Sequence, residues 1–340
     1  MRALSLSHPQ PAETRPLTLS ERDIPHPGPG ELLLRVVMCG VCHTDLHTVE
    51  GDIHPPHLPI VPGHQVVGVV EVVSEPLPNG TGVPHYERVR VGDRVGVPWL
   101  FSACGHCEYC RRGQENLCPN AKFTGFHVDG GYADFMLADA RYALLLPDAI
   151  SDEQAVPLLC AGIVGYRSLK LADIEPGERV GLVGFGASAH LCLQVLNHWG
   201  CKTFVFTRAE GHRAHARALG AVWAGEVADD AGVALDRAVV FAPAGALIPA
   251  MLEKIRPGGT LALNAIHMSP IPEFPYHLLW GERTVRSVAN ATRQDGVEFL
   301  KLAADIPIRA TTTVYPLEQV NEALLDMKHS RINGEAVLIM

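Results

Sequence analysis

The chain has 340 residues, 47% apolar and 19% charged, enough for two domains that each bury a core and ordinary for a compact soluble protein. Its 28 Lys and Arg stand against 37 Asp and Glu, a formal net charge of −9 with no basic run, which argues against nucleic acid or an anionic membrane as a partner. The first nine residues lack a signal-peptide core and no apolar run could span a bilayer, so the expected location is the cytoplasm, where nine cysteines read as metal ligands or buried thiols rather than disulfides.

Residues 1–150 carry the pattern of a β-rich, loop-rich domain. Runs at 31–37 and 66–73 are short, branched-aliphatic and closed by Gly, Pro or Ser, as strands are. Between them the stretch from Cys39 to His47 crowds together thiol, imidazole, hydroxyl and carboxylate groups. Pro55, Pro56, Pro59 and Pro62 then forbid regular structure and aim His64 from a stiff loop. Residues 75–88 read as an exposed loop and 89–97 as a strand with a turn at Gly92 and Asp93. Cys104, Cys107, Cys110 and Cys118 form a C-x2-C-x2-C-x7-C array. Four thiolates at this spacing close a tetrahedral Zn²⁺ and leave no open position, which marks a structural site. The acidic balance and the few interleaved basic and aromatic residues argue against a nucleic-acid-binding knuckle. Residues 123–137 read as a hairpin, and Ser151 with Gln154 as a capping box opening a helix near the domain boundary.

Residues 151–285 alternate strands and helices, the mark of a parallel sheet. A strand at 179–183 runs into Gly184, Phe185, Gly186, Ala187, Ser188 and Ala189, followed by a helix to about His198. This is the G-x-G-x-x-A form of the dinucleotide fingerprint, whose glycines permit the turn and the close approach of a pyrophosphate to a helix N-terminus. Further strands are expected at 203–206, 238–241 and 260–263, with a helix at 212–219. Residues 286–340 should rejoin the first domain and end in a strand at 337–339. Cys39, Cys192 and Cys201 are left as buried thiols.

Cys42, His64 and Cys160 supply two sulfurs and one nitrogen, a set that suits Zn²⁺ and leaves a fourth tetrahedral position for water or substrate. With the cysteine array and the fingerprint, this set makes the chain resemble the zinc-dependent alcohol dehydrogenases of the medium-chain dehydrogenase/reductase superfamily over nearly its whole length. The resemblance implies a GroES-like catalytic domain with a structural-zinc lobe at 1–150, a Rossmann domain with a doubly wound parallel sheet at 151–285, and a return at 286–340. It further implies two zinc ions per chain, the catalytic one on Cys42, His64 and Cys160. Thr44 would take the substrate hydroxyl proton, His47 would pass it to solvent, and Asp45 would stand behind the ligands. His43 would face the cofactor pyrophosphate, and Ile53 and Trp99 would line the substrate pocket. The implied reaction is hydride transfer between an alcohol and a nicotinamide, with the zinc lowering the alcohol pKa or, in reverse, polarising an aldehyde. With Ile53 where several relatives carry a bulkier aromatic residue, medium-chain or benzylic primary alcohols are expected, in a homodimer or homotetramer.

Two positions depart from the family pattern. Gln65 stands where it usually reads Gly-His-Glu, and Glu335 stands where many relatives carry an arginine on the cofactor pyrophosphate, which leaves Arg331, His43 or the helix N-terminus for that task. For the cofactor, the second strand ends in Thr207 and Arg208 with no acid before Glu210. A hydroxyl and a guanidinium suit a 2′-phosphate, and Arg213 would add a second positive charge, so NADP(H) is expected, with NAD the alternative if Glu210 folds back to the ribose. A quinone or enone reductase would lack the three zinc ligands, and a non-enzymatic zinc protein would need neither Thr44 and His47 nor the cofactor fold.

Overall fold

A computed structural model describes residues 1–75, 89–306, 308–332 and 334–340, so most of the loop expected at 75–88 lies outside the described residues. The chain forms two compact units. One comprises Met1–Cys160, Thr292–Ala304 and Ala310–Met340, the other Ala161–Ala291 and Asp305–Arg309.

The first unit opens with β1 (Arg2–Leu6) antiparallel to β2 (Leu17–Glu21), followed by β3 (Glu31–Val41) and the helix α1 (His43–Glu50). Strands β4 (Val66–Val73), β5 (Arg94–Val97) and β6 (Leu100–Ser102) precede a short helix α2 (Glu108–Arg111). Strands β7 (Lys122–Phe123), β8 (Phe135–Asp139) and β9 (Leu144–Leu145) lead to helix α3 (Asp152–Pro157). The hairpin expected over 123–137 does not form, because β7 pairs with β6 and β8 with β3. Alternation reveals a strand but not its partner. Ser151 does cap α3 by accepting from the Gln154 N–H, but the Gln154 side chain goes instead to the Ala310 backbone.

In the second unit α4 (Ile163–Leu171) is followed by β10 (Arg179–Val183), α5 (Ala187–His198), β11 (Lys202–Phe206), α6 (Glu210–Ala218) and β12 (Trp223–Gly225). Then come β13 (Leu235–Val240), α7 (Leu247–Lys254), β14 (Ile255–Leu263) and β15 (Thr284–Ser287). The sheet order is β12-β11-β10-β13-β14-β15 and every pairing is parallel. Parallel strands are covered on both faces, which is why they read as near-continuous apolar runs. Val183, Phe206, Val240 and Leu261 are buried in one core with Ile248 and Met251 of α7. Chain direction across the sheet reverses at β10, and the crevice at the carboxyl ends of β10 and β13 is where such doubly wound Rossmann sheets bind ligands.

The chain returns through α8 (Arg293–Asp305), β16 (Thr312–Pro316), α9 (Val320–Lys328) and β17 (Glu335–Ile339). The first unit's main sheet runs β16-β17-β3-β4-β5-β9, with β8 also on β3. β3 is thus flanked by strands from opposite ends of the chain. Val337 of β17 sits opposite Gly40, and Val66 of β4 opposite Cys39.

Candidate metal centres and cofactor site

Cys42 is the N-cap of α1. Its sulfur accepts from the Thr44 N–H at 3.3 Å while Asp45 reaches back to the Cys42 N–H at 3.0 Å, a capping box with a thiol in place of the usual hydroxyl. The second Asp45 oxygen accepts from the Gly63 N–H at 3.1 Å and meets His64 Nδ1 at 3.0 Å. One buried carboxylate therefore ends a loop, orients a ring and starts a helix. It turns His64 Nε2 toward Cys42 Sγ, 3.3 Å away. A carboxylate behind a histidine fixes its tautomer and raises its basicity as a ligand.

Cys160 arrives by a different device. Pro157 removes a backbone donor from the helix, and Leu158–Gly162 continue as a π-helical turn before α4. Leu159 fixes this turn on β5, where a side chain on Gly96 would come within 2.3 Å of it. One ligand atom each from Cys42, His64 and Cys160 lies within 4.8 Å of the others. Ligands at the bond lengths of a tetrahedral zinc stand roughly 3.3–3.8 Å apart, so the set fits zinc with small adjustments. The Cys42 thiol is held well below its usual range, chiefly by the hydrogen bond from Cys160, which is itself pushed up. Burial opposes a charge on His64, yet Asp45 and Cys42 together keep its imidazole well above the usual value.

Around this set, Trp99 meets the His64 ring edge-on at 4.8 Å and stacks on Phe123 at 5.2 Å, with Phe126 at 5.7 Å. Trp99 thus belongs to an aromatic wall beside a ligand. Phe126 is a wall residue that the sequence reading missed, since nothing in a glycine-rich turn marks it. Thr44 and His47 lie three positions apart on α1 and so share a face. Gly51 closes α1 in the left-handed conformation, φ 84°, and the turn brings Asp52 back to His47, Nδ1 to Oδ2 2.7 Å. Asp52 was also missed. Ile53 follows, half-buried, with its N–H on the His47 carbonyl.

Cys104, Cys107, Cys110 and Cys118 form a second cluster with ligand atoms mutually within 4.8 Å. Backbone N–H groups of Cys107, Cys110 and Asn120 point at the sulfurs of Cys104, Cys107 and Cys118 at 3.4–3.5 Å. The Cys104 thiol is drawn down to about 6, first by the His106 and Cys107 backbones. Donors aimed at sulfur favour the thiolate that binds metal, although burial pushes the Cys110 thiol up to about 12.

In the second unit Gly184 takes φ 86° and donates to the Phe206 carbonyl, and a side chain there would press on the Ala242 backbone at 3.1 Å. Gly186 caps α5, and a side chain built on it meets nothing within 4 Å. Gly186 is exposed and Ala187 and Ser188 half-buried while Ala189 is buried, so the first residues of α5 are open to an anion at the positive end of the helix dipole. Thr207 is held by its N–H on Gly225, and Arg208 is exposed. Arg213 is bound to Glu210 at 2.8 Å, Glu226 at 3.3 Å and the carbonyls of Thr207 and Arg208, so it braces the turn. Glu210 has its oxygens taken by Arg213 and Arg217. In the first unit, His43 is the exposed first residue of α1. Arg331 pairs with Asp326 at 3.3 Å. Glu335 is 3% exposed and lies in the interior of the first unit, where burial and the nearby Cys42 push its carboxyl well above the usual range.

Residues 28–148 match the alcohol dehydrogenase GroES-like domain family. Over 341 aligned residues the chain is 45% identical to the protein named probable alcohol dehydrogenase AdhA of Mycobacterium tuberculosis (strain CDC 1551 / Oshkosh), covering 100% of this chain and 97% of that one. A cinnamyl alcohol dehydrogenase (SbCAD4) from Sorghum bicolor superposes with a TM-score of 0.88 at 26% identity, covering 99% of this chain and 97% of the other. A cobalt- and zinc-bound thermostable alcohol dehydrogenase from Pyrobaculum aerophilum does so with a TM-score of 0.87 at 26% identity, covering 100% and 99%. The chain belongs to the zinc-type medium-chain alcohol dehydrogenases, with a GroES-like domain and a Rossmann domain.

Proposed function

We propose that this alcohol dehydrogenase is zinc-dependent, uses NADP(H), and interconverts medium-chain or benzylic primary alcohols and their aldehydes. The observation that carries the reading is the convergence of Cys42, His64 and Cys160, the first of which caps the helix that carries Thr44 and His47. Held by those three ligands, zinc supplies a Lewis acid that lowers an alcohol's pKa, and NADP⁺ supplies the hydride acceptor. The chain does the rest. Asp45 holds His64 in register; the Thr44 hydroxyl would accept the substrate's proton as it gives up its own, and His47, oriented by Asp52, would take on a proton for release to solvent. Trp99 and Phe126 give the substrate an apolar wall that excludes water.

The four-thiolate lobe is read as structural, in line with its backbone donors to sulfur. Cys107→Ser is expected to lower the thermal midpoint, because structural zinc contributes directly to folding. A loss of a few kcal/mol corresponds to a shift on the order of 10 °C for a unit of this size. Unchanged melting in scanning calorimetry contradicts a closed zinc site.

For the substrate, a benzyl ring buries far more apolar surface against Trp99 and Phe126 than a methyl group does, at about 25 cal/mol per Å². Steady-state kinetics should give benzyl alcohol the higher kcat/KM. A higher value for ethanol contradicts the pocket reading.

A homodimer or homotetramer is supported by β15, one of the two edge strands of the Rossmann sheet, and by the exposed Ile266, Ile271, Tyr276 and Trp280 in the segment that leads into it. An exposed edge with apolar neighbours is a pairing surface unless something covers it. Sedimentation equilibrium should return a multiple of the 36.7 kDa chain mass. A monomer at micromolar concentration contradicts assembly.

A further inference from the structure

The two positions at which the chain departs from the family pattern lie side by side. Gln65 precedes β4 and Glu335 begins β17, and these strands flank β3 on opposite sides. Gly40 of β3 is the floor between them. A side-chain carbon built on Gly40 would lie 2.7 Å from Gln65 Nε2 and 2.9 Å from Glu335 Oε1, so both side chains cross above its α-carbon. Gln65 is 0% exposed and Glu335 3%. No atom of the Gln65 amide or the Glu335 carboxyl makes a hydrogen bond of good geometry among the described residues, although the amide lies close enough to favour the ionised carboxyl.

A buried carboxyl and a buried amide without partners are costly, on the order of 1–3 kcal/mol for each unsatisfied group and more for a charge. Such a pair in a native interior calls for a bound water or a nearby ion. The cell adjoins the metal-ligand set: Gly40 lies two residues before Cys42, and Gln65 directly follows His64. Gly40 keeps the cell open, since any side chain there would collide with both groups.

We propose that Glu335, set beside Gln65 over Gly40, is a carboxylate that helps retain the catalytic cation. Its role is to position and balance charge, not to take part in the reaction. The inference rests on the reading of Cys42, His64 and Cys160 as zinc ligands. Changing a group that supports a metal ligand typically weakens metal binding about 10–100-fold.

The test is zinc retention by the purified holoenzyme during dialysis against graded dipicolinate, counted by plasma mass spectrometry, with the four-thiolate zinc as internal reference. Glu335→Gln, equal in size, should release one of two zinc ions at about 10–100-fold lower chelator. The Gln65→Glu/Glu335→Gln double variant, which places the carboxylate on the histidine loop, should regain wild-type retention. A wild-type curve for Glu335→Gln, or a double variant as weak as the single one, overturns the proposal. Should the single variant not accumulate, the double variant decides alone: wild-type retention supports the proposal and loss overturns it. A wild-type protein that never holds more than one zinc would instead remove the catalytic-site reading on which the proposal depends.

Discussion

Cys42→Ala is expected to reduce NADP-linked alcohol oxidation by about 10³-fold or more, the equivalent of the several kcal/mol that a Lewis acid at the reacting oxygen supplies. The fold should survive. Cys42 also caps α1, but Asp45 would still hold the Cys42 and Gly63 N–H groups and His64. Loss of one cap costs only about 1 kcal/mol. His64→Ala should lose as much activity and somewhat more stability, since it leaves Asp45 short of a partner and Trp99 without its ring contact. Circular dichroism and initial rates on the same preparations check both. Full turnover in a Cys42→Ala enzyme that lacks the corresponding zinc contradicts the assignment.

Arg208→Ala is expected to raise the KM for NADPH by about 10–100-fold while changing that for NADH little, because a charge-assisted contact with a phosphate is worth about 1.5–3 kcal/mol. The geometry favours this sign. Arg208 is exposed at the end of β11, Arg213 holds the two carbonyls of the turn, and Glu210 is tied to Arg213 and Arg217 rather than left to accept from a ribose. Arg213→Ala should therefore weaken NADPH binding by loosening the turn and releasing one of the two Glu210 oxygens, although Arg213 is itself engaged by two acids. A wild-type enzyme that favours NADH tenfold, about 1.4 kcal/mol in kcat/KM, contradicts the reading of Thr207 and Arg208.

Local chemistry was what the sequence made legible. The spacing of the cysteine array and of the strand-to-helix glycine turn each narrows the physical uses to a few, and the structure gathers the four cysteines in the first unit and forms the turn at Gly184 and Gly186 in the second. Strand pairing was less legible, because residues 123–137 carry strand-like signals whose partners, β6 and β3, are chosen by the whole sheet. Asp52 could not be assigned to His47 without knowing that Gly51 turns left-handed. Gln65 and Glu335 each read as an isolated oddity. Only the placement of β17 and β4 on either side of β3 makes them one feature. Contacts of this kind are long-range in the chain, and residue pattern alone carries no record of them.

The most direct test is the zinc content of the purified wild-type chain, counted by plasma mass spectrometry beside NADP-linked oxidation of benzyl alcohol on the same sample. Two zinc ions per chain in the active enzyme, falling to one with turnover lost in Cys42→Ala, is the predicted result. Full turnover at one zinc per chain or fewer would contradict it.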